Sequence, residues 1–116
     1  MVKGEGGTEQ AAPDRTITFD AHDFGYSGLE GLDELTVGET IRFEMTNSGY
    51  QAHEFEVIRP DDEPLGEVAA IDRGEQGGAT MTFDEPGTYM FQCILIDKSS
   101  GKPHTELGMV GTFEVS

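Results

Sequence analysis

Short runs in which apolar and polar residues alternate are the feature that most restricts the fold of this chain. Ile41, Phe43 and Met45 occupy every second position of one run, and Phe55 and Val57 do the same in the next. A period of two places successive side chains on opposite faces of a strand. Because turns rich in Gly, Pro, Asn and Asp separate these runs, the sequence predicts an all-β sandwich or barrel.

The runs also predict how the strands are arranged. The predicted strands are residues 16–19, 40–46, 53–58, 79–83, 88–93 and 110–115. Counting chain reversals sends 40–46 and 79–93 in one direction and the other two long runs in the opposite direction. The loops 47–52 and 94–109 are then expected at the same end of the sandwich. The stretch 61–76 does not alternate cleanly, and we predict a short helix or an irregular crossing loop there.

The length of the chain, 116 residues, suits one domain with a single core. Residues 1–14, rich in Gly, Glu and Gln, are predicted as a flexible N-terminal linker, and residues 15–116 as the domain. No apolar run approaches the roughly 20 residues that span a bilayer, and no signal peptide is visible. The linker fits a mature region trimmed from a membrane-tethered precursor, and it fits a cytosolic protein with a frayed N-terminus equally well.

The charge of the chain restricts its partners. It has 23 acidic and 7 basic residues, which gives a net charge of −16. Nucleic acid and anionic membranes are poor partners for such a surface. A basic protein partner or a high-salt habitat suits this charge better.

A soft ligand set is concentrated near the C-terminus. Cys93 is the single cysteine, which excludes an intrachain disulfide. It ends a predicted strand, and His104 and Met109 follow in the next loop. If His53, at the start of its strand, reaches the same place, the set becomes two imidazoles, a thiolate and a weak thioether. That set is the coordination of a copper electron-transfer centre.

Each of these residues has a simpler interpretation when taken alone. A lone Cys93 is usually an inert buried residue, His53 lies on an apolar face, Met109 suits a core, and loop histidines such as His104 are usually exposed. All these interpretations must hold together to dismiss a metal site, so the combination favours one. His22 has no ligand-type neighbour, and we assign it to the surface or to a structural hydrogen bond.

Three segments carry a resemblance to a known family: TNSGYQAH (46–53), PGTYMFQC (86–93) and HTELGMVGTFEV (104–115). Together they resemble the small cupredoxins of the plastocyanin–azurin superfamily, and the resemblance runs from Thr16 to Val115. It implies a cupredoxin-like Greek-key β-sandwich or barrel holding one type 1 (blue) copper ion. It also implies the ligands: His53, Cys93 and His104 in equatorial positions and Met109 in the axial position.

The chain departs from that family in two places. Ten residues separate Cys93 from His104, a much longer segment than in plastocyanins and azurins, and we predict that 97–102 loops out as a turn. Glu54 stands where the family usually has an asparagine that braces the ligand loop. Alternation turns Glu54 away from Cys93, so it is not predicted as a ligand.

These features predict an electron carrier in which one copper ion cycles between Cu(I) and Cu(II). His104, on a loop expected to be exposed, is the predicted exit for the electron. The expected partner is a redox protein with a basic docking surface, met by a monomer in an extracytoplasmic (periplasmic or cell-surface) location. Catalysis is disfavoured because four protein ligands leave no open position on the metal.

Two other functions stay open on sequence alone. One is copper binding for delivery, storage or sensing with the same ligands. The other is a metal-free β-sandwich that serves as an adhesion or interaction module. Zinc also binds sites made of cysteine and histidine, so the copper assignment needs a spectroscopic test.

Overall fold

The computed structural model describes residues 12–116, which form eight strands in two four-stranded sheets. The first sheet has the order β2-β1-β3-β6 and the second β5-β4-β7-β8. The strands are β1 (Arg15–His22), β2 (Gly25–Ser27), β3 (Glu39–Asn47), β4 (His53–Ile58), β5 (Pro64–Ile71), β6 (Gln76–Phe83), β7 (Gly87–Gln92) and β8 (Val110–Val115). The predicted all-β sandwich is therefore confirmed. The predicted linker 1–14 lies outside the described residues except for its last three, and its boundary stays a prediction.

Helical structure within residues 12–116 is confined to two 3₁₀ turns, Glu30–Glu34 and His104–Leu107. Neither is long or apolar enough to cross a membrane, and the described part of the chain contains no other helix that could.

The alternating runs bury one face each, as the sequence predicts. In β3, Ile41, Phe43 and Met45 are at most 1% exposed, and in β4 Phe55 and Val57 are fully buried. Aromatic rings fill the space between the sheets in edge-on and tilted contacts, for which centroid separations of 4.5–7 Å are usual. The core therefore fixes the registers that place the loops.

The prediction for residues 61–76 is wrong, because most of this stretch is the edge strand β5. Asp62, with φ 71°, makes a tight turn after β4, and the chain returns antiparallel to β4 with two register shifts. Only Val68 of β5 is buried. An edge strand that packs a single side chain into the core lacks the alternation by which a strand is recognised.

The predicted direction of residues 79–83 is also wrong. Strand β6 runs antiparallel to β3, whereas the count of chain reversals predicts the same direction for both. The unrecognised strand β5 adds one reversal before β6, and the turn at residues 84–86 adds another after it. The direction of β7 is therefore as predicted, antiparallel to β4 and β8.

These registers bring two loops to one end of the sandwich. Glu56 of β4 pairs with Gln92 of β7, and Gln92 pairs with Val110 of β8. The start of β4 and the end of β7 therefore lie side by side. We call this end, where 47–53 and 93–109 meet, the loop end.

Candidate metal centre

The loop before β4 is shaped by one buried amide. Asn47 donates from Nδ2 to the carbonyl oxygens of Gln51 (2.8 Å) and Ile71 (2.9 Å). Its Oδ1 accepts the backbone N–H of Gly49 at 2.8 Å. A buried polar side chain is normally hydrogen-bonded in this way. These bonds fold the loop 47–52 tightly and fix where β4, and therefore His53, begins.

His53 is fully buried, and its two ring nitrogens have different surroundings. Nε2 lies 2.6 Å from Oδ1 of Asp23. Because an ionised carboxylate only accepts hydrogen bonds, Nε2 carries the proton and Nδ1 has a free lone pair. Within residues 12–116, Nδ1 of His53 is the one buried side-chain nitrogen or oxygen atom that lacks a hydrogen-bond partner.

Asp23 lies in the turn between β1 and β2, and it is held from several sides. Besides its contact with His53, the Asp23 carboxylate accepts hydrogen bonds from the backbone N–H groups of Tyr50 (3.0 Å) and Gln51 (3.4 Å). Burial alone would raise the pKa of Asp23. The hydrogen bonds from His53, Tyr50 and Gln51 have the larger combined effect, so the pKa of Asp23 is lowered. A side chain at Gly49 would begin 2.4 Å from Oδ1 of Asp23, so glycine is needed at that position.

Cys93, His104 and Met109 are joined by backbone hydrogen bonds. The N–H of Cys93 donates to the carbonyl of Met109 (3.1 Å), and the N–H of Met109 donates to the carbonyl of His104 (3.0 Å). The N–H of His104 donates to the carbonyl of Leu95 at 2.7 Å. Gly108, with φ 126°, ends the 3₁₀ turn in a conformation that favours glycine. The segment between Cys93 and Met109 therefore folds back on itself and brings the backbones of Cys93, His104 and Met109 together.

His53, Cys93 and His104 form a compact cluster. One ligand atom from each lies within 4.8 Å of the other two. The Sγ of Cys93 is 3.4 Å from Nδ1 of His104, and the two imidazole centroids are 5.0 Å apart. Each of the three residues is at most 1% exposed. Met109 is also fully buried, and its backbone bonds place it next to the cluster.

Burial disfavours the charged forms of Cys93 and His104. Burial raises the pKa of the Cys93 thiol, while hydrogen bonds from the backbone N–H groups of Glu54 and Leu95 act in the opposite direction. Burial also lowers the pKa of His104, and the neighbouring His53 adds to this effect. Cys93 is therefore expected as a thiol and His104 as a neutral imidazole, and a metal ion would displace the thiol proton.

The long segment between Cys93 and His104 is an ordered turn, as predicted. Ile96 pairs with Pro103, and the N–H of Asp97 donates to the carbonyl of Lys102 at 2.8 Å. The turn also has a role that the sequence did not indicate. Asp97 accepts a hydrogen bond from Nε2 of Gln51 at 2.7 Å. The other end of the same amide, Oε1 of Gln51, lies 3.1 Å from Nε2 of His104.

The predicted exposure of His104 is wrong. The residue is 1% exposed, because Gln51 and the turn after Cys93 cover it. His104 lines a cleft of about 520 Å³ together with Tyr50, Leu95 and Ile96. Access to its imidazole is therefore through this cleft, not from an exposed loop.

Glu54 has a bracing contact and is not one of the three clustered residues. Its Oε2 accepts the backbone N–H of Ile94, directly after Cys93, at 3.1 Å. The carboxylate thus ties the backbone directly after Cys93 to β4. Burial raises the pKa of Glu54.

His22 lies outside the cluster, as the sequence analysis expected. Its Nδ1 is 3.1 Å from Oδ2 of Asp20, and 43% of its side chain is exposed. Elsewhere in residues 12–116 there is no other group of three His, Cys, Asp or Glu residues placed to hold a metal.

The cluster fits a soft metal ion. Nε2 of each histidine is hydrogen-bonded, to Asp23 and to Gln51, while Nδ1 of His104 contacts Sγ of Cys93 and Nδ1 of His53 has no partner. The unpartnered Nδ1 of His53 is the atom that a metal would satisfy. Two imidazoles and one thiolate suit copper or zinc, and carboxylates, which suit harder ions, are absent from this cluster.

Known proteins with a similar fold are found among solved structures. No protein-family model and no curated protein matches this sequence. Auracyanin B matches with a TM-score of 0.73 and 17% identity over 97% of this chain and 99% of that chain. Auracyanin A, a "blue" copper protein from Chloroflexus aurantiacus, matches with a TM-score of 0.68 and 17% identity over 90% of this chain and 100% of that chain.

The same fold also occurs within a larger enzyme. A multicopper oxidase matches with a TM-score of 0.62 and 19% identity, over 91% of this chain but only 45% of that chain. At these identities the likeness concerns the fold. The resemblance to the cupredoxins found in the sequence is therefore confirmed at the level of fold: the chain has the all-β fold of the blue copper proteins.

Sequence reasoning missed Asp23, Gln51 and Asp97. Each contacts a clustered histidine or its partner from a distant part of the chain. Asp23 stands in a turn, where aspartate is common for conformational reasons, and one acid among 23 carries no distinguishing signal.

Proposed function

We propose that this protein is a mononuclear type 1 copper protein that carries single electrons between redox partners. His53, Cys93, His104 and Met109 would hold the ion. The observation that carries the proposal is the buried cluster in which one atom of each of the first three residues lies within 4.8 Å of the other two. The fold, which matches blue copper proteins over nearly the whole chain, supports it.

Bound copper would supply one-electron Cu(I)/Cu(II) chemistry. The residues of the chain bind it, orient its ligands and exclude water. Each imidazole is fixed by a hydrogen bond at Nε2, and the loop that contains Cys93 and His104 is tied by backbone bonds on both sides. A site fixed in this way changes little in geometry, which suits rapid electron transfer.

Burial favours electron transfer over copper delivery. A protein that hands over its metal needs ligands that an acceptor can reach, whereas all the proposed ligands here are at most 1% exposed. Enzymatic activity is disfavoured for a related reason, since a substrate would have to reach residues that are at most 1% exposed. The larger multicopper oxidase shares the fold only over part of its length.

The proposed partner is a redox protein with a basic docking surface. The net charge of −16 would attract such a partner. The cleft beside His104 is the proposed contact, because Tyr50 and Ile96 at its edge are 76% and 55% exposed. In this proposal the carrier is a monomer and works outside the cytoplasm, and the association is weakened by salt.

The test is an optical titration of the purified protein with Cu(II). An intense thiolate-to-copper absorption that saturates at one ion per chain is expected, and Cys93→Ser should abolish it. His22→Ala is the matched control and should titrate like the wild type. A wild-type protein without this absorption, or an unchanged absorption in Cys93→Ser, would overturn the proposal.

A second experiment separates a carrier from a delivery protein. The copper-loaded protein should show a reversible one-electron potential and should keep its metal when mixed with a metal-free acceptor. Rapid transfer of copper to that acceptor, without a reversible potential, would instead support delivery. Metal analysis of the protein as purified distinguishes copper from zinc.

A further inference from the structure

We propose that Asp23 is a positioning residue for the metal site: its carboxylate fixes the tautomer and orientation of His53 and lowers the reduction potential of the bound copper. This inference rests on the proposed function. It concerns a residue in the turn between β1 and β2, far in sequence from every proposed ligand.

The two imidazoles of the cluster are held by different chemistry. His104 donates from Nε2 to the neutral amide oxygen of Gln51 at 3.1 Å. His53 donates from Nε2 to the carboxylate of Asp23 at 2.6 Å. Hydrogen bonds to an ionised acceptor are shorter and roughly twice as strong as neutral ones. The carboxylate therefore polarises His53 more than the amide polarises His104.

Several features show that the contact between Asp23 and His53 is built into the fold. The backbone N–H groups of Tyr50 and Gln51 point at the same carboxylate, at 3.0 and 3.4 Å. Gly49 leaves room for the pair, since a Cβ there would lie 2.4 Å from Oδ1 of Asp23 and 2.9 Å from Nε2 of His53. The loop 47–52 is thus closed around the carboxylate as well as around the histidine.

This arrangement has a consequence for the metal. A carboxylate partner makes a ligating imidazole a stronger electron donor. Stronger donation stabilises Cu(II) more than Cu(I), because the higher charge gains more from it. The oxidised form is favoured, and the reduction potential is lower than it would be with a neutral partner on His53.

The first test is the reduction potential of Asp23→Asn. Asparagine keeps an oxygen for Nε2 of His53 but removes the charge. We expect the ratio of Cu(II) to Cu(I) affinity to fall about tenfold, which raises the potential by about 59 mV for one electron. Asp20→Asn is the control, because it removes an equal charge from the neighbouring pair with His22. A potential in Asp23→Asn equal to that of Asp20→Asn would overturn the inference.

The second test reads the tautomer directly. In the diamagnetic Cu(I) protein, ¹⁵N-resolved NMR should show the Nε2–H proton of His53 far downfield, and Asp23→Ala should lose this signal. Should Asp23→Ala fail to fold, the same proton in Asp23→Asn should move upfield while it stays unmoved in Asp20→Asn. A His53 proton unaffected by either Asp23 variant would overturn the inference.

The two proposals can fail separately. A wild-type protein that develops no blue absorption overturns the proposed function and, with it, the effect on potential. The NMR measurement on the metal-free protein still decides the positioning role, since His53 should be protonated at Nε2 there as well. A wild-type His53 protonated at Nδ1 would overturn that role whatever metal is bound.

Discussion

Oε1 of Gln51 lies 3.1 Å from Nε2 of His104. The same side chain donates from Nε2 to Asp97 at 2.7 Å, which settles which end of the amide faces the imidazole. A segment inserted between two proposed ligands is therefore tied back to one of them. The extra length of the loop closes the site instead of leaving it open.

The contact between Gln51 and His104 should slow the loss of metal. In Gln51→Ala the imidazole loses its fixed partner and the cleft opens towards it. We expect copper to be about tenfold less tightly bound, the lower end of the usual effect of removing such a partner. Competition with a chelator, monitored by the loss of blue absorption, measures this copper affinity. Gln76→Ala, which removes an exposed amide on β6, should behave like the wild type.

Asp97 should make the stability of the protein depend on pH at the acid end. Hydrogen bonds from Ser100 and Gln51 lower the pKa of Asp97 from 3.8 to about 2. A lowered pKa in the folded state stabilises the fold above the unfolded value, and this stabilisation is lost as the pH falls through about 2. Asp97→Asn should therefore be less stable than the wild type at pH 7, and the difference should shrink between pH 4 and pH 2.

Urea unfolding of the metal-free proteins at several pH values measures this difference. Ser100→Ala removes one of the two side-chain donors to Asp97 and should reduce the pH dependence without abolishing it. A difference between Asp97→Asn and the wild type that stays constant down to pH 2 would contradict the prediction.

Glu54 should act as a brace through its acceptor oxygen. In Glu54→Ala the N–H of Ile94 loses its partner, and the loop directly after Cys93 is no longer fixed from β4. We expect a broadened or shifted copper absorption in this variant. Glu54→Gln keeps an oxygen acceptor and should stay close to the wild type. Equal spectra for both variants would show that the contact does not hold the loop.

Much of the fold could be predicted from the sequence because the core strands have a clear alternation of apolar and polar residues. In β3 and β4 every second residue is buried, and this burial produces the alternation that predicts a strand. Strand β5 buries only Val68, so its sequence carries no comparable signal. The missed strand then led to the wrong direction for β6, because direction was inferred by counting reversals.

The clustering of His53, Cys93 and His104 could also be predicted from the sequence. Cys93 and His104 lie at the two ends of one loop, and the count of chain reversals places His53 at the same end of the sandwich. The burial of His104 was not predictable, because it depends on Gln51 and Asp97 meeting across the loop end. Such contacts between distant polar residues follow no period and leave no pattern in a single sequence.

Gly49 gives the most direct test of how tightly the loop end is packed. A methyl group there would lie 2.4 Å from Oδ1 of Asp23 and 2.9 Å from Nε2 of His53, so in Gly49→Ala the pair must separate. Overpacking of this kind costs about 1–3 kcal/mol. We expect a loss of stability in that range and a weaker, shifted copper absorption, measured by urea unfolding and by the Cu(II) titration.

Gly66→Ala is the matched control for this variant. The atoms nearest to a Cβ at Gly66 belong to the flexible side chain of Met81, at 3.2 Å, and Gly66 lies on β5, away from the proposed ligands. That variant should keep the wild-type spectrum even if its stability changes slightly. A Gly49→Ala protein with wild-type stability and spectrum would mean that Asp23 and His53 can separate without cost, which is incompatible with a carboxylate that positions the ligand.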